Sequence, residues 1–275
     1  MTQPSPDPLS PVLEPETPKI PAHRPQSIHA HIHFVFPNLL DSFRSLLVIL
    51  VAAVFVLTFV VQPFRIPSES MERTLLVGDF LLVDKSVFGA PGHWGWLLPY
   101  QPVRRDDIVV FHFPLSPSEH VVKRVVGLPG NRVRLENGVV YINGQKQEEP
   151  FAVFEPSYPD NFRDDFPAAN SFDPGVDSNW WLDMRGDVSD GQLKVPAGDY
   201  FVLGDNRNNS RDSRYWGFVQ PNRIEGRPLL IYFSLREPST TDVASLPDDK
   251  LGHEQDPIEA IVDFARWTRM FRVVR

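Results

Sequence analysis

The amino-acid sequence predicts a mainly β protein, an antiparallel β-sheet domain carrying a small β/loop cap insertion and preceded by a single transmembrane helix. Three observations predict it. A stretch of 20 residues, 45–64, is almost wholly apolar and long enough to cross a bilayer as a helix. Beyond it the chain breaks into short β-type runs with no long amphipathic helix between them. Two of those runs are joined by Asn137-Gly138, a pair that tolerates the positive φ angles of a tight hairpin turn.

Residues 1–41 are rich in proline and short polar clusters with no sustained apolar period, which reads as a disordered tail. His23, His29, His31 and His33 fall in it; histidines in a mobile tail have no fixed geometry for a metal. Residues 42–63 are expected to form the anchor: 46–61 is apolar everywhere except Thr58, and Pro63 stops the run. The stretch ends in Gln62, Pro63, Phe64 and Arg65 rather than in small residues, so it reads as an uncleaved anchor and not as a removable targeting segment. Lys19, Arg24 and Arg44 before it, against Arg65 and Arg73 after it, favour an N-terminus on the cytoplasmic side.

Residues 64–257 carry the β-type runs, at 80–83, 108–113, 121–126, 132–135, 139–142, 200–203 and 229–233. Asn143-Gly144 suggests a second tight turn. A cap or insert is expected at about 143–196. Within it, 148–190 holds eleven acidic residues against Arg163 and Arg185, a net charge of −9; this is either a surface for basic partners or a solvated segment rich in turn residues. Residues 258–275 suggest an amphipathic basic helix. Phe264, Trp267, Met270, Phe271 and Val274 share one face of a helical wheel and Arg266, Arg269 and Arg272 the other, for lying on anionic lipid or packing on the β domain.

Composition removes several function classes. The chain has no cysteine, so disulfides, thiolate metal sites and cysteine nucleophiles are excluded. A net charge of −8 at pH 7 argues against nucleic acid as a partner, which needs a basic patch to neutralise phosphates. Nothing in the residues implies a cofactor or a metal.

The chemistry concentrates in two places. Ser68 and Ser70 lie in a turn directly after the anchor, and by themselves such serines are ordinary turn formers. Lys123 alternates with Val121 and Val125 in a strand, so its amine points either into an apolar environment or, as on most amphipathic strands, to solvent. A serine hydroxyl becomes a competent nucleophile when a neighbouring base takes its proton, and only a neutral lysine can be that base. Burial favours the neutral amine. The histidines after the anchor, His93, His112, His120 and His253, sit in no recognisable triad motif.

At this point the chain resembles the type I signal (leader) peptidases. Their nucleophile box looks like Ile66-Pro67-Ser68-Glu69-Ser70-Met71 with Thr74-Leu75 and Gly78-Asp79-Phe80. Their lysine box resembles 107–111 followed by Lys123-Arg124-Val125-Val126-Gly127-Leu128-Pro129-Gly130, and a last box is similar to Gly204-Asp205-Asn206-Arg207, Asn209-Ser210, Asp212-Ser213-Arg214 and Trp216-Gly217. The resemblance spans about 62–234, in order. It implies a Ser-Lys serine endopeptidase with Ser70 as nucleophile and Lys123 as general base. It further implies an oxyanion hole from the Ser70 amide and the Ser68 hydroxyl, Ser210 orienting Lys123, and Asp212 and Arg214 holding the surrounding loop. Phe64, Ile66, Met71, Leu81, Val110 and Val122 are implied as walls of the substrate pockets, although plain core packing gives the same pattern. The implied partners are membrane lipid and exported preproteins cut after small residues at minus-one and minus-three, with the catalytic domain on the outer face of the cell membrane. Competing readings are a self-cleaving regulator, a specialised conjugation-type peptidase and a non-catalytic membrane-tethered binding module. The sequence departs from the family pattern at Arg73, where proline is usual, at Asp106, where glycine is, and at Asn131 and Asn208, where aspartate is.

Overall fold

The computed structural model describes residues 39–88, 101–168, 173–236 and 264–274. Most of the expected tail, and residues 258–263 of the expected C-terminal helix, lie outside the described residues. The chain divides into two units, 1–46 and 47–275.

Helix α1, Leu39–Phe55, runs on through a π-helical turn at Val56–Val60. Its apolar stretch Asp41–Val60 has 20 residues, about 30 Å at the helical rise. Leu46, Ile49, Val51 and Phe59 are all more than half exposed, so this helix is apolar around its circumference and buries none of it in the protein. The helix ends earlier than the sequence suggested. Residues Val61–Arg65 form strand β1, paired with β2 (Asp79–Asp84) from Val61↔Asp84 to Arg65↔Phe80. Pro63 belongs to this strand rather than to a helix stop. Because β1 is the terminal strand of its sheet, Pro63's missing N–H leaves the ladder intact.

The rest follows the antiparallel pattern expected. Strands β3 (Ile108–Phe113) and β4 (Ser116–Gly127) form a hairpin. Strands β5 (Arg132–Glu136) and β6 (Val139–Ile142) meet at Asn137 and Gly138, with φ of 50° and 78°, the left-handed turn the Asn-Gly pair predicts. β7 (Gln145–Lys146) follows across Asn143-Gly144 in the same conformation. After short helices α2 (Asn161–Asp164) and α3 (Ser178–Asp187) come β8 (Val188–Ser189) and β9 (Gln192–Lys194), turned by Asp190-Gly191. Strand β10 (Phe201–Leu203), helix α4 (Ser213–Trp216), β11 (Ile224–Ser234) and β12 (Arg272–Val273) complete the chain.

Two sheets result. The first has the order β1-β2-β11-β3-β4-β10, with β12 also on β11, and the second β7-β6-β5-β9-β8. Alternation along β3 separates two apolar clusters. Val109 and Phe111 pack with Val133, Leu135, Leu193 and Trp180 toward the second sheet. Ile108 and Val110 pack with Ile66, Met71, Leu81 and Ile231 on the other face. Each such fully buried side chain contributes roughly 1.5–3 kcal/mol.

Two expectations are corrected. The cap is larger and more regular than a loosely structured insert at 143–196. Its sheet begins at Arg132, because β5 pairs with both β6 and β9, and α3 buries Trp180 and Met184 in the core. The C-terminal segment, over 264–274, is not an amphipathic helix. It forms one turn of 3-10 helix at Trp267–Arg269 and then β12, which pairs with Leu230 and Ile231 of β11. The open edge of β11 offers a ladder, and a buried carboxylate, Asp79, draws the arginines inward. Arg269 donates to both Asp79 oxygens, at 3.1 and 2.5 Å, and to Thr74 O. Arg266 donates to Ser234 Oγ and to the Val77 and Leu235 carbonyls. The apolar residues that share a face of the wheel are split: Trp267 and Phe271 are exposed, at 59% and 76%, while Val274 packs against the Ile66 and Ile231 cluster.

Candidate active site

The chain leaves β1 at Arg65 and turns through Pro67 into a single 3-10 turn, Glu69–Met71, that carries Ser70. Met71 and Leu75 are fully buried beside it and fix its position. Ser70's own carbonyl accepts a hydrogen bond from Asn206 N at 3.1 Å, which locks this turn to the loop after β10. That approach requires Gly204: a Cβ there would lie 2.5 Å from Ser70 O and 2.3 Å from Ser210 Oγ.

Lys123 enters from the middle of β4. Its Nζ donates to Ser70 Oγ at 2.7 Å and to Val122 O at 3.2 Å, and only 3% of the residue is exposed. Burial is the largest influence on this amine and pulls its pKa from 10.5 down to about 8. Asp212 and Asp205 act in the opposite direction, and Arg214 adds to the lowering. Desolvation disfavours the ammonium more than the two carboxylates favour it. Ser68 Oγ lies 3.3 Å from Ser70 Oγ and caps no backbone amide, so its hydroxyl is available to a group bound at Ser70.

Two buried ion pairs frame Ser70 and Lys123. Arg214 grips Asp212 with two hydrogen bonds of 2.8 Å, while Asp212 also accepts from Gly204 N and caps α4. Arg214 further holds the Arg207 and Arg163 carbonyls. On the other side Arg124, adjacent to Lys123, grips Asp205 at 2.8 and 2.7 Å, and Asp205 accepts from Thr74 Oγ1 at 2.6 Å. Desolvated charges of this kind hold position only when fully paired, and these tie β4, the Ser70–Thr74 segment and the 204–214 loop into one unit. Thr74, Arg124 and Asp205 were legible as parts of the motifs, but spacing gave them no role.

Of the other residues singled out, Ser210 is buried against Gly204. Its hydroxyl makes no hydrogen bond among the described residues, to Lys123 or otherwise. Phe64, Ile66, Met71, Leu81, Val110 and Val122 gather in one cluster on the Ile108/Val110 face of the first sheet, with Phe64 and Val122 only partly buried. Two surface cavities of ≈ 480 and 430 Å³ open elsewhere, beside Arg73 and Phe151 and beside Arg105 and Pro228. Neither is lined by Ser70 or Lys123. Arg73 has φ of 72°, which a proline ring locked near −65° cannot adopt, so this loop takes a path the family proline does not allow. Asp106 has φ of 70°, where the glycine usual in the family is unstrained.

A family model described as signal peptidase, peptidase S26 matches residues 39–233. Signal peptidase I of Pseudomonas fluorescens is 34% identical, over 74% of this chain and 75% of that protein. The Pseudomonas aeruginosa enzyme is 33% identical, over 75% and 77%, and that of Aquifex aeolicus 33% identical, over 74% and 88%. The chain belongs to the signal peptidase family, peptidase S26. Its function is that of a membrane signal peptidase, a hydrolase of peptide bonds.

Proposed function

We propose that this enzyme removes signal peptides from exported preproteins with Ser70 as nucleophile and Lys123 as general base. The observation that carries the proposal is the 2.7 Å contact between Lys123 Nζ and Ser70 Oγ inside the protein. A neutral amine at that distance takes the hydroxyl proton as Oγ attacks the scissile carbonyl. The Ser70 amide and the Ser68 hydroxyl hold the developing oxyanion. The lysine then protonates the departing amine, and the signal peptide's carboxyl end is left as an ester on Ser70. A water deprotonated by the same lysine hydrolyses that ester. Asp212, with Arg214, fixes the loop behind the amine, and Ser210 lies beside the nucleophile turn as a further hydroxyl in the site.

β1 is the terminal strand of its sheet and leads into Ser68 and Ser70. An extended substrate added along it would deliver a carbonyl to Ser70, with alternate side chains meeting the Phe64, Ile66, Val110 and Val122 cluster. Small residues at minus-one and minus-three fit walls this closely packed. The α1 stretch spans the membrane once, with the N-terminus cytoplasmic and the catalytic domain on the outer face.

The test incubates detergent-solubilised wild type, S70A and K123A with a preprotein bearing a small-x-small site and maps the cut by mass. Cleavage after the second small residue by wild type alone is expected. Cleavage by either variant at the wild-type rate, or a cut elsewhere, overturns the assignment.

A further inference from the structure

Three strands of the catalytic sheet converge on a cluster that peptide hydrolysis does not use. His112 on β3 and His120 on β4 are cross-strand partners with ring centroids 4.7 Å apart. Glu225 lies on β11 where pairing passes from Ile224↔Phe111 to Gly226↔Val110, leaving it the extra residue of a bulge. A bulge re-aims the side chain of its unpaired residue. Here it turns the carboxylate toward both imidazoles, with Glu225 Oε1 3.1 Å from His112 Nε2 and 3.1 Å from His120 Nε2.

The hydrogen bonding singles this cluster out. His112 Nδ1 lies 2.8 Å from the Pro117 carbonyl oxygen, a contact that only an Nδ1–H can make. Neutral His112 then aims the bare lone pair of Nε2 at a carboxylate oxygen. Two acceptors that close need a positive charge between them, either a second proton on the imidazole or a metal cation. An imidazole fixed through Nδ1–H to a carbonyl is how metal-binding histidines are oriented. Glu225's other oxygen, Oε2, is buried and accepts no hydrogen bond among the described residues, so the carboxylate is under-used where it stands. Ligands about 2.0–2.1 Å from a tetrahedral centre sit about 3.3 Å from one another; Glu225 Oε1 is 3.1 Å from each imidazole nitrogen, and the three donor atoms all lie within 4.8 Å, so the two rings have only to draw together onto an ion. The histidine side chains keep 38% and 32% exposure, which leaves an entry path and room for a fourth ligand.

We propose that His112, His120 and Glu225 bind a divalent transition cation of the zinc class, with water in the fourth position. Two imidazoles and one carboxylate favour such a metal over Mg²⁺ or Ca²⁺, which take oxygen ligands. A bound ion pins β3, β4 and β11 at one point beside Phe64, whose ring stands 5.2 Å from His120. The proposal does not depend on the roles given to Ser70 and Lys123.

The test uses the full chain in detergent, stripped with a chelator, with the remaining histidines removed as H23A, H29A, H31A, H33A, H93A and H253A. Zn²⁺ is titrated against a chromophoric competitor. One equivalent is expected to bind, at least tenfold more weakly in H120A and in the near-isosteric E225Q, and to raise the melting temperature of the parent but not of E225Q. Co²⁺ added to the same parent should give the intense visible absorption of a four-coordinate ion, a reading that needs no variant. Absence of stoichiometric Zn²⁺ binding, binding undiminished in both variants, or only the weak spectrum of hydrated Co²⁺ overturns the proposal and leaves a proton between the rings and the carboxylate.

Discussion

Raising the pH from 7 to 9 is expected to increase kcat/KM about tenfold, along a single limb with its midpoint near 8. Burial draws the Lys123 pKa to about 8, so by simple titration about one molecule in eleven carries the neutral amine at pH 7, half at pH 8 and about ten in eleven at pH 9. Only that fraction can accept the Ser70 proton, and kcat/KM reports ionisations of the free enzyme. The assay is cleavage of a fluorogenic preprotein peptide in detergent, with thermal unfolding followed at each pH to separate ionisation from loss of fold. A rate flat between pH 7 and 9 would refute the reasoning. So would a midpoint near 6.5, typical of histidine, that disappears in H120A.

Stability should respond at higher pH. The folded-state amine has a lower pKa than the unfolded one, so between about 8 and 10.5 the unfolded chain binds more protons and stability rises with pH; below 8 the burden is constant. Lys123→Met should abolish activity, remove that slope and stabilise the protein at pH 7 by up to about 3 kcal/mol, measured by denaturant titration; a less stable variant would contradict the buried-amine account. Ser68→Ala should lower kcat about 10²-fold with KM little changed, and an unaltered kcat would remove Ser68 from the oxyanion hole. Gly204→Ala forces a Cβ to within 2.5 Å of Ser70 O and is expected to cost about 1–3 kcal/mol together with most of the activity. Arg269→Ala leaves the buried Asp79 carboxylate short of its main partner and should destabilise the fold by about 3–5 kcal/mol, whereas a change within 0.5 kcal/mol would show that Arg266 suffices.

The local code was legible wherever a short-range rule decides the outcome. Asn137-Gly138 and Asn143-Gly144 turn as their φ preferences require, and β3 and β6 occupy the bounds their apolar runs suggested. Asp190-Gly191 obeys the same rule between two strands too short to show a periodicity. What failed were inferences about partners. Helical-wheel reasoning at 264–274 weighed only the segment's own amphipathicity, whereas an open strand edge and the Asp79 carboxylate, 190 residues away in sequence, decided its shape. In the candidate site, linked motifs pointed to Ser70 and Lys123, whose side chains meet at 2.7 Å. The pairing of Arg124 with Asp205 and the dependence on Gly204 emerge only when three loops are seen packed together. The cluster at Glu225 had no sequence signal, since a bulge that redirects one side chain leaves no mark in composition or period.

The arginine clasp on Asp79 also has a bearing on the order in which the protein is made. Asp79 opens β2, shortly after the turn that carries Ser70, yet the guanidinium that neutralises it leaves the ribosome 190 residues later. Until then only Leu76 N and Ser234 Oγ are on hand to hydrogen-bond that carboxylate, and burying it without a cation is costly. A released chain truncated after residue 236 should therefore be less stable than the full chain, as measured by thermal unfolding, through loss of the Arg269 contact to Asp79.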